Sequence, residues 1–142
     1  MNHVLRTAQV SDVDAVLALD SLVAGGESSR EQRVRDAIGA GGCLVCERDA
    51  RIAGFVITGV REFFGRDFVE LLVVAPDARR LEVGRALLRA AVHGATTATV
   101  FTSTNRSNHA MQALLSGDGW TLSGELGGLD EGDPEVVYFT AR

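Results

Sequence analysis

The chain has no lysine. Each of its 14 basic residues is an arginine, set against 19 Asp and Glu, for a net charge of -5 over 142 residues. Surfaces that bind nucleic acid need clustered cations, so this balance argues against a nucleic-acid partner and is more comfortable with a small cationic one. Long apolar runs are missing too. No stretch approaches the roughly 18 to 20 residues that cross a bilayer, and no membrane role is expected. Met1 to Val10 lacks a basic segment followed by an apolar stretch and a small-residue cleavage site, so the expected location is cytoplasmic. Cysteine is scarce: Cys43 and Cys46 form a CxxC in "CLVCER", with no second Cys or His pair at zinc-site spacing, and no metal site is expected. On a strand, positions three apart face opposite sides, which predicts two separately buried thiols.

The length suits one domain over residues 1–142, with a core that needs no staples. "VLRT" reads as a short strand, and Ser11 or Asp12 suits the cap of a helix through "VDAVLALDSLV". After "GGESS" comes a weaker helix, "REQRVRDAIGAGG", whose Val34, Ala37 and Ile38 share a face. The pattern then turns to strands: "CLVCER", a turn at Asp49-Ala50, and "RIAGFVITGV" as a hairpin partner. "DFVELLVVAP" reads as a buried strand stopped by Pro76, "LEVGRALLRAAVHG" as an amphipathic helix, and "ATVFTST" as a further strand. Strand, helix, strand implies a parallel crossover. "SNHAMQALLSGDG" supplies a last helix before "WTLSGEL" and a final strand, "EVVYFTAR". The class is α/β, an α+β mixed sheet flanked by helices.

The chemistry concentrates where the buried strand gives way to "PDARRLEVGRALL". Free N–H groups at a helix start bind anions, and the helix dipole favours negative charge there. Gly84 would let a phosphate approach the backbone, and Arg79, Arg80 and Arg85 add positive charge; the plain alternative is a solvated basic turn. Glu82 is the anomaly, a carboxylate in a turn suited to anions. At about 5 Å from a phosphate and an effective dielectric of 20 it would cost roughly 3 kcal/mol before screening. Glu82→Gly is accordingly expected to tighten anion binding, and to destabilise the fold slightly by removing a charge that complements the helix dipole.

With these residues in view, the sequence resembles the GCN5-related N-acetyltransferases, the GNAT superfamily. Their coenzyme motif is Arg or Gln, two residues, Gly, one residue, Gly or Ala; "RRLEVGRALL" follows it from Arg79 except that Glu82 holds the first glycine position. "LRTAQVSDVDAVLAL" is similar to the family's first strand and helix, and "NHAMQALLSGDGW" to its later motif, so the likeness covers essentially the whole chain. It implies a central mixed sheet in which parallel strands 4 and 5 splay apart, with acetyl-CoA as cosubstrate and an amine as acceptor. Carried over by position, Leu72, Val73 and Val74 would pair with the pantetheine arm. Arg79, Arg80, Val83, Gly84 and Arg85 would form the phosphate turn, and Asn108, with Asn105 beside it, would lie near the arm. A homodimer is common among such proteins.

Three groups are sought for acetyl transfer. A base is needed because a lysine-like ammonium costs roughly 4 to 5 kcal/mol to deprotonate at pH 7. Glu70, alone in the apolar "FVELLVV", fits that role, and period-two parity would set it on one face with Leu72 and Val74. The other reading pairs Glu70 with Arg61 or Arg66. The backbone N–H of Val74 suits the thioester oxygen. An acid for the thiolate is absent from its family position, which is Leu115 here; Tyr138 reads as structural, leaving Ser107, Ser116 or water. His109, the polar run from Ser103 to Asn108 and the acidic loop "DEGDPE" read mainly as solvated or capping residues. The two departures, Glu82 and Leu115, also admit a non-catalytic module that binds acyl-CoA or a protein partner.

Overall fold

The computed structural model describes residues 3–24, 28–79 and 82–142. Strand β1 (Val4–Thr7) leads through a 3-10 turn into α1 (Val13–Ala24), followed by α2 (Ser28–Ala40). Then come β2 (Cys43–Arg48), β3 (Arg51–Phe63) and β4 (Arg66–Val74), α3 (Val83–His93), β5 (Thr99–Asn105), α4 (His109–Gly117), β6 (Thr121–Leu126) and β7 (Glu135–Ala141). The strands form one sheet in the order β1-β2-β3-β4-β5-β7-β6. Only β4 and β5 run parallel, joined by α3 as the strand-helix-strand pattern implies.

Both early hairpins turn on two residues with positive φ, Asp49-Ala50 and Phe64-Gly65, the conformation whose twist matches that of the strands. The second hairpin is longer than the sequence pattern suggests: β3 continues past Val60 to Phe63, with an irregular register between Gly59 and Phe63. Asp67 explains how. Its carboxylate is buried and accepts Arg61 N at 3.0 Å, Thr96 N at 2.8 Å and Thr96 Oγ1 at 2.7 Å. One side chain thereby fixes the β3 irregularity and the loop that enters β5.

Each face of the sheet has its own core. Against α3 and α4 lie Val56, Val69, Leu87, Leu88, Val100, Leu115 and Tyr138; against α1 and α2 lie Val16, Val34, Cys43, Val45, Phe55 and Val73. Leu87 and Leu88 are fully buried, worth about 1.5–3 kcal/mol each. Gly54 allows α3 to lie this close to the sheet, since a Cβ there would stand 3.0 Å from the Val83 side chain and 2.8 Å from the Val73 carbonyl. Cys43 and Cys46 are both free and buried on opposite faces. Burial pushes the Cys43 thiol up to about 12. No helix among the described residues is long and apolar enough to cross a membrane.

Two tests follow from this packing. Asp67→Ala should lower stability by about 2–4 kcal/mol in chemical denaturation, because it strands three donors. Burial alone would raise the Asp67 pKa, but the Thr96 and Arg61 hydrogen bonds outweigh it and hold the group below its ordinary value. Asp12, bonded to Arg6 and to Gln9 N, is held at about 2. Both carboxylates therefore contribute stability above their unfolded pKa, and thermal stability should fall as pH drops from about 4 to about 2. Native Cys43 and Cys46 should resist alkylation near neutral pH and react once the chain is unfolded.

Candidate active site

The site begins where two strands part. β4 and β5 pair only at Asp67–Val100, Phe68–Phe101 and Val69–Thr102, although β4 continues to Val74 and β5 to Asn105. Beyond Val69 the inner edge of β4 has no strand beside it. Backbone alternation decides what that edge presents. Ala75 N donates to Ala53 O on β3, so the groups of Val73 also face β3, while those of Leu72 and Val74 face the opening. Of the three residues expected to pair with a ligand's arm, Leu72 and Val74 are oriented for it. Val73 lines the same cleft, but its peptide faces β3 and its side chain is buried under α1 and α2.

A bulge in β4 sets the second feature. Ile57 pairs with Leu71 and Thr58 with Val69, so Glu70 is an extra residue with no partner on β3. The expected parity fails here. Leu72 and Val74 pack with the α3 side, whereas Glu70 and Leu71 both face α1 and α2, because the bulge places two successive residues on one side. The partner of Glu70 is also corrected. It is neither Arg61 nor Arg66, whose Nη1 donates to Phe64 O, but Arg33 of α2, whose Nη1 donates to Glu70 Oε1. The Glu70 side chain is 14% exposed against 55% for Arg33. Burial pushes the Glu70 carboxyl above its ordinary value; the Arg33 charge draws it back and Glu62 adds to the rise.

On the α3 face, Leu72, Val74, Arg79, Val83, Gly84, Arg85 and Asn108 border one cleft of about 620 Å³, closed by Met111 and Leu114. Arg80 lies outside the described residues. Among the described residues the first α3 hydrogen bond runs from Ala86 N to Glu82 O, and the N–H groups of Val83, Gly84 and Arg85 have no helical acceptor there. The Glu82 side chain makes no cap bond to them. A Cβ on Gly84 would sit 3.4 to 3.8 Å from Leu114, Val74 and Leu72, inside the space a ligand would use. Bare amides, adjacent arginines and an apolar channel suit the pyrophosphate and pantetheine of acetyl-CoA.

Glu82 occupies the left-handed region at φ 66. Its carboxylate is bonded to Arg85 Nη1 at 3.0 Å, and Asp118 stands 3.7 Å from Arg85 Nε. The turn thus requires the backbone conformation that glycine adopts freely, and Glu82 engages an arginine of the anion site. Asn108 caps α4, accepting from Met111 N at 3.1 Å. Asn105 stands apart from the cleft, because its Nδ2 is donated to Asp130 and to the Asp133 carbonyl. Asp133 also binds Ser107, so these two acids of the loop tie it to the end of β5 and Ser107 is engaged there. Leu115 is fully buried, and the Tyr138 hydroxyl donates to Gln112, so neither is placed as an acid. Arg33 is the site residue that sequence reasoning missed. Only tertiary packing brings a residue 37 positions away onto Glu70.

The sequence pattern of the acetyltransferase (GNAT) family matches residues 14–119. The chain belongs to the GNAT acetyltransferase family. It superimposes on the crystal structure of a GNAT-family acetyltransferase from Bacillus cereus ATCC 10987 with a TM-score of 0.94 and 32% identity, covering 100% of this chain and 99% of that one. A ribosomal-protein-alanine N-acetyltransferase from Brucella melitensis matches at 24% identity and TM-score 0.79, over 98% and 99% of the two chains. Diaminobutyrate acetyltransferase EctA from Paenibacillus lautus, solved with L-2,4-diaminobutyric acid and coenzyme A, matches at 18% and 0.76, over 99% and 95%. At those identities the last two establish the fold alone. No curated protein is significantly similar in sequence. As a GNAT acetyltransferase the chain uses acetyl-CoA as its cosubstrate.

Glu82→Gly separates binding from stability. Acetyl-CoA affinity, by calorimetry, should rise on the order of tenfold as repulsion is removed and Arg85 released. The expected loss of stability is revised by the left-handed φ. Relief of about 1–2 kcal/mol offsets the lost surface pair and glycine's extra entropy when unfolded, leaving the melting temperature unchanged or slightly higher.

Proposed function

We propose that this enzyme transfers acetyl from acetyl-CoA to a primary amine by direct attack on the thioester, with residues 1–142 acting as one catalytic domain in the cytoplasm. One observation carries the reading: β4 presents a free peptide edge at Leu72 and Val74 to one cleft and a half-buried carboxylate, Glu70, to the opposite face. The opening between β4 and β5 would let the two faces communicate.

In this reading the α3 amides, with Arg79 and Arg85, hold the pyrophosphate, and Leu72 and Val74 pair with the pantetheine arm. Glu70 accepts the proton of the acceptor ammonium, directly or through water. Burial pushes its carboxyl above the ordinary glutamate value, which makes it a better base than an exposed glutamate. The neutral nitrogen attacks the carbonyl carbon, negative charge gathers on the thioester oxygen, and Val74 N–H is the donor aimed at it. Collapse breaks the C–S bond and releases coenzyme A thiolate. With Leu115 buried in the core, the thiolate leaves without a tyrosine to protonate it and takes its proton from water.

Glu70→Gln should reduce kcat/KM for the amine by about 10²- to 10⁴-fold, followed by thiol release, while acetyl-CoA binding by calorimetry stays within about twofold. In the unmodified enzyme, activity should fall on the acidic side of a midpoint above the ordinary glutamate pKa, and that limb should vanish in the variant. Retention of full activity and of the limb would show that Glu70 is not the base.

A further inference from the structure

We infer that Arg33 is a built-in stand-in for the acceptor: its guanidinium fills the cation position on Glu70 in the free enzyme, and a cationic amine without a neighbouring carboxylate displaces it.

This rests on the reading of Glu70 as the group that meets the amine. The two residues share a cleft of about 540 Å³ between α2 and the β3–β4 hairpin, on the face opposite the coenzyme cleft. Arg33 Nη1 donates to Glu70 Oε1. While that bond stands, it occupies one acceptor site of the carboxylate and lowers its basicity toward an incoming amine, and an arginine cannot lose its own proton at any working pH. The partners differ in freedom. Glu70 is fixed on a bulged strand, whereas Arg33 stands on the outer turn of α2 with more than half its side chain in water. An ion pair with one such exposed member is weak, so the arginine can swing out at little cost.

The charges around the pair indicate what replaces it. The ionisable groups lining the cleft are Arg33 and Asp36 from α2, Glu62 from β3 and Glu70 from β4, three acids to one base. Asp36 is engaged by Gln32 at 2.8 Å, and the Glu62 carboxylate lies over Gly59, where a Cβ would meet it at 2.8 Å. Once Arg33 leaves Glu70, the remaining wall is wholly anionic. It would attract a second ammonium and repel a carboxylate carried beside the reacting amine. The acceptor class is therefore a diamine or longer polyamine rather than an α-amino acid.

Cadaverine and lysine share a carbon chain and differ by one carboxylate, which makes them the probes. Calorimetry on the acetyl-CoA-free enzyme at about pH 8 should show cadaverine binding at least tenfold tighter than lysine. Arg33→Gln should bind cadaverine about fivefold tighter than the unmodified protein, because the competitor is gone, and Arg33→Lys should restore the original affinity. Carboxyl ¹³C NMR should place the Glu70 titration higher in Arg33→Gln, since a charge that lowers it has been removed; this readout needs no turnover. Three results overturn the inference: no saturable cadaverine binding, unchanged or weaker cadaverine binding in Arg33→Gln, or lysine binding better than cadaverine and losing affinity in that variant, which would make Arg33 a carboxylate clamp. Glu70→Gln distinguishes the two proposals. Full turnover in that variant removes Glu70 as base, whereas an unmoved cadaverine affinity in Arg33→Gln with an inactive Glu70→Gln removes only the role of Arg33.

Discussion

The parting of β4 from β5 after Val69 and Thr102 is the constraint on which the site depends. An open sheet edge normally costs unsatisfied backbone groups or invites another strand. Here the edge is short and lies inside the molecule, between α3 with α4 on one side and α1 with α2 on the other. It is held open from its base. Asp67 binds the irregular end of β3 and the loop before β5 together, so the two strands are tied where they pair and diverge beyond. The bulge at Glu70 falls at the first position past that tie. One strand can therefore offer peptide groups to a coenzyme and a carboxylate to the opposite face.

Electrostatics completes the arrangement by opposing two of the site's arginines with carboxylates. Arg85 meets Glu82 and Asp118, and Arg33 meets Glu70. Clustered arginines repel one another, and a half-buried lone carboxylate stores desolvation; internal counter-ions relieve both. The same relief sets a threshold for ligands. In the proposed reading a phosphate competes with Glu82, and an acceptor cation with Arg33. In each pair one member is well exposed, Glu82 at 65% and Arg33 at 55%, so the competitor can move to water while its partner stays.

Much of this was legible from residue order. The strand and helix succession, the parallel crossover, the Asp49-Ala50 hairpin and the opposed cysteines follow from local pattern, because period, turn chemistry and strand parity are properties of neighbouring residues. The described residues expected at the phosphate turn share one cleft for a related reason. Val74, Arg79, Gly84 and Arg85 sit within one strand-turn-helix unit, and a contiguous unit carries its geometry with it. Asn105 was misassigned because its partners, Asp130 and Asp133, lie on a distant loop that only folding brings near.

By itself, the amino-acid sequence determined the family, the order of elements and a strand-turn-helix with Glu82 at the position where the family's motif has glycine. Tertiary structure alone decided which way Glu70 faces and what it faces. A strand's parity holds only while its register is regular, and a single extra residue, held by Arg33 of α2 and without a partner on β3, reverses it. Arg33 reaches Glu70 because the packing of Val34 and Ile38 into the core orients α2, turning the position just before Val34 toward the cleft beside β4. That contact joins residues from separate elements, and no local pattern encodes it.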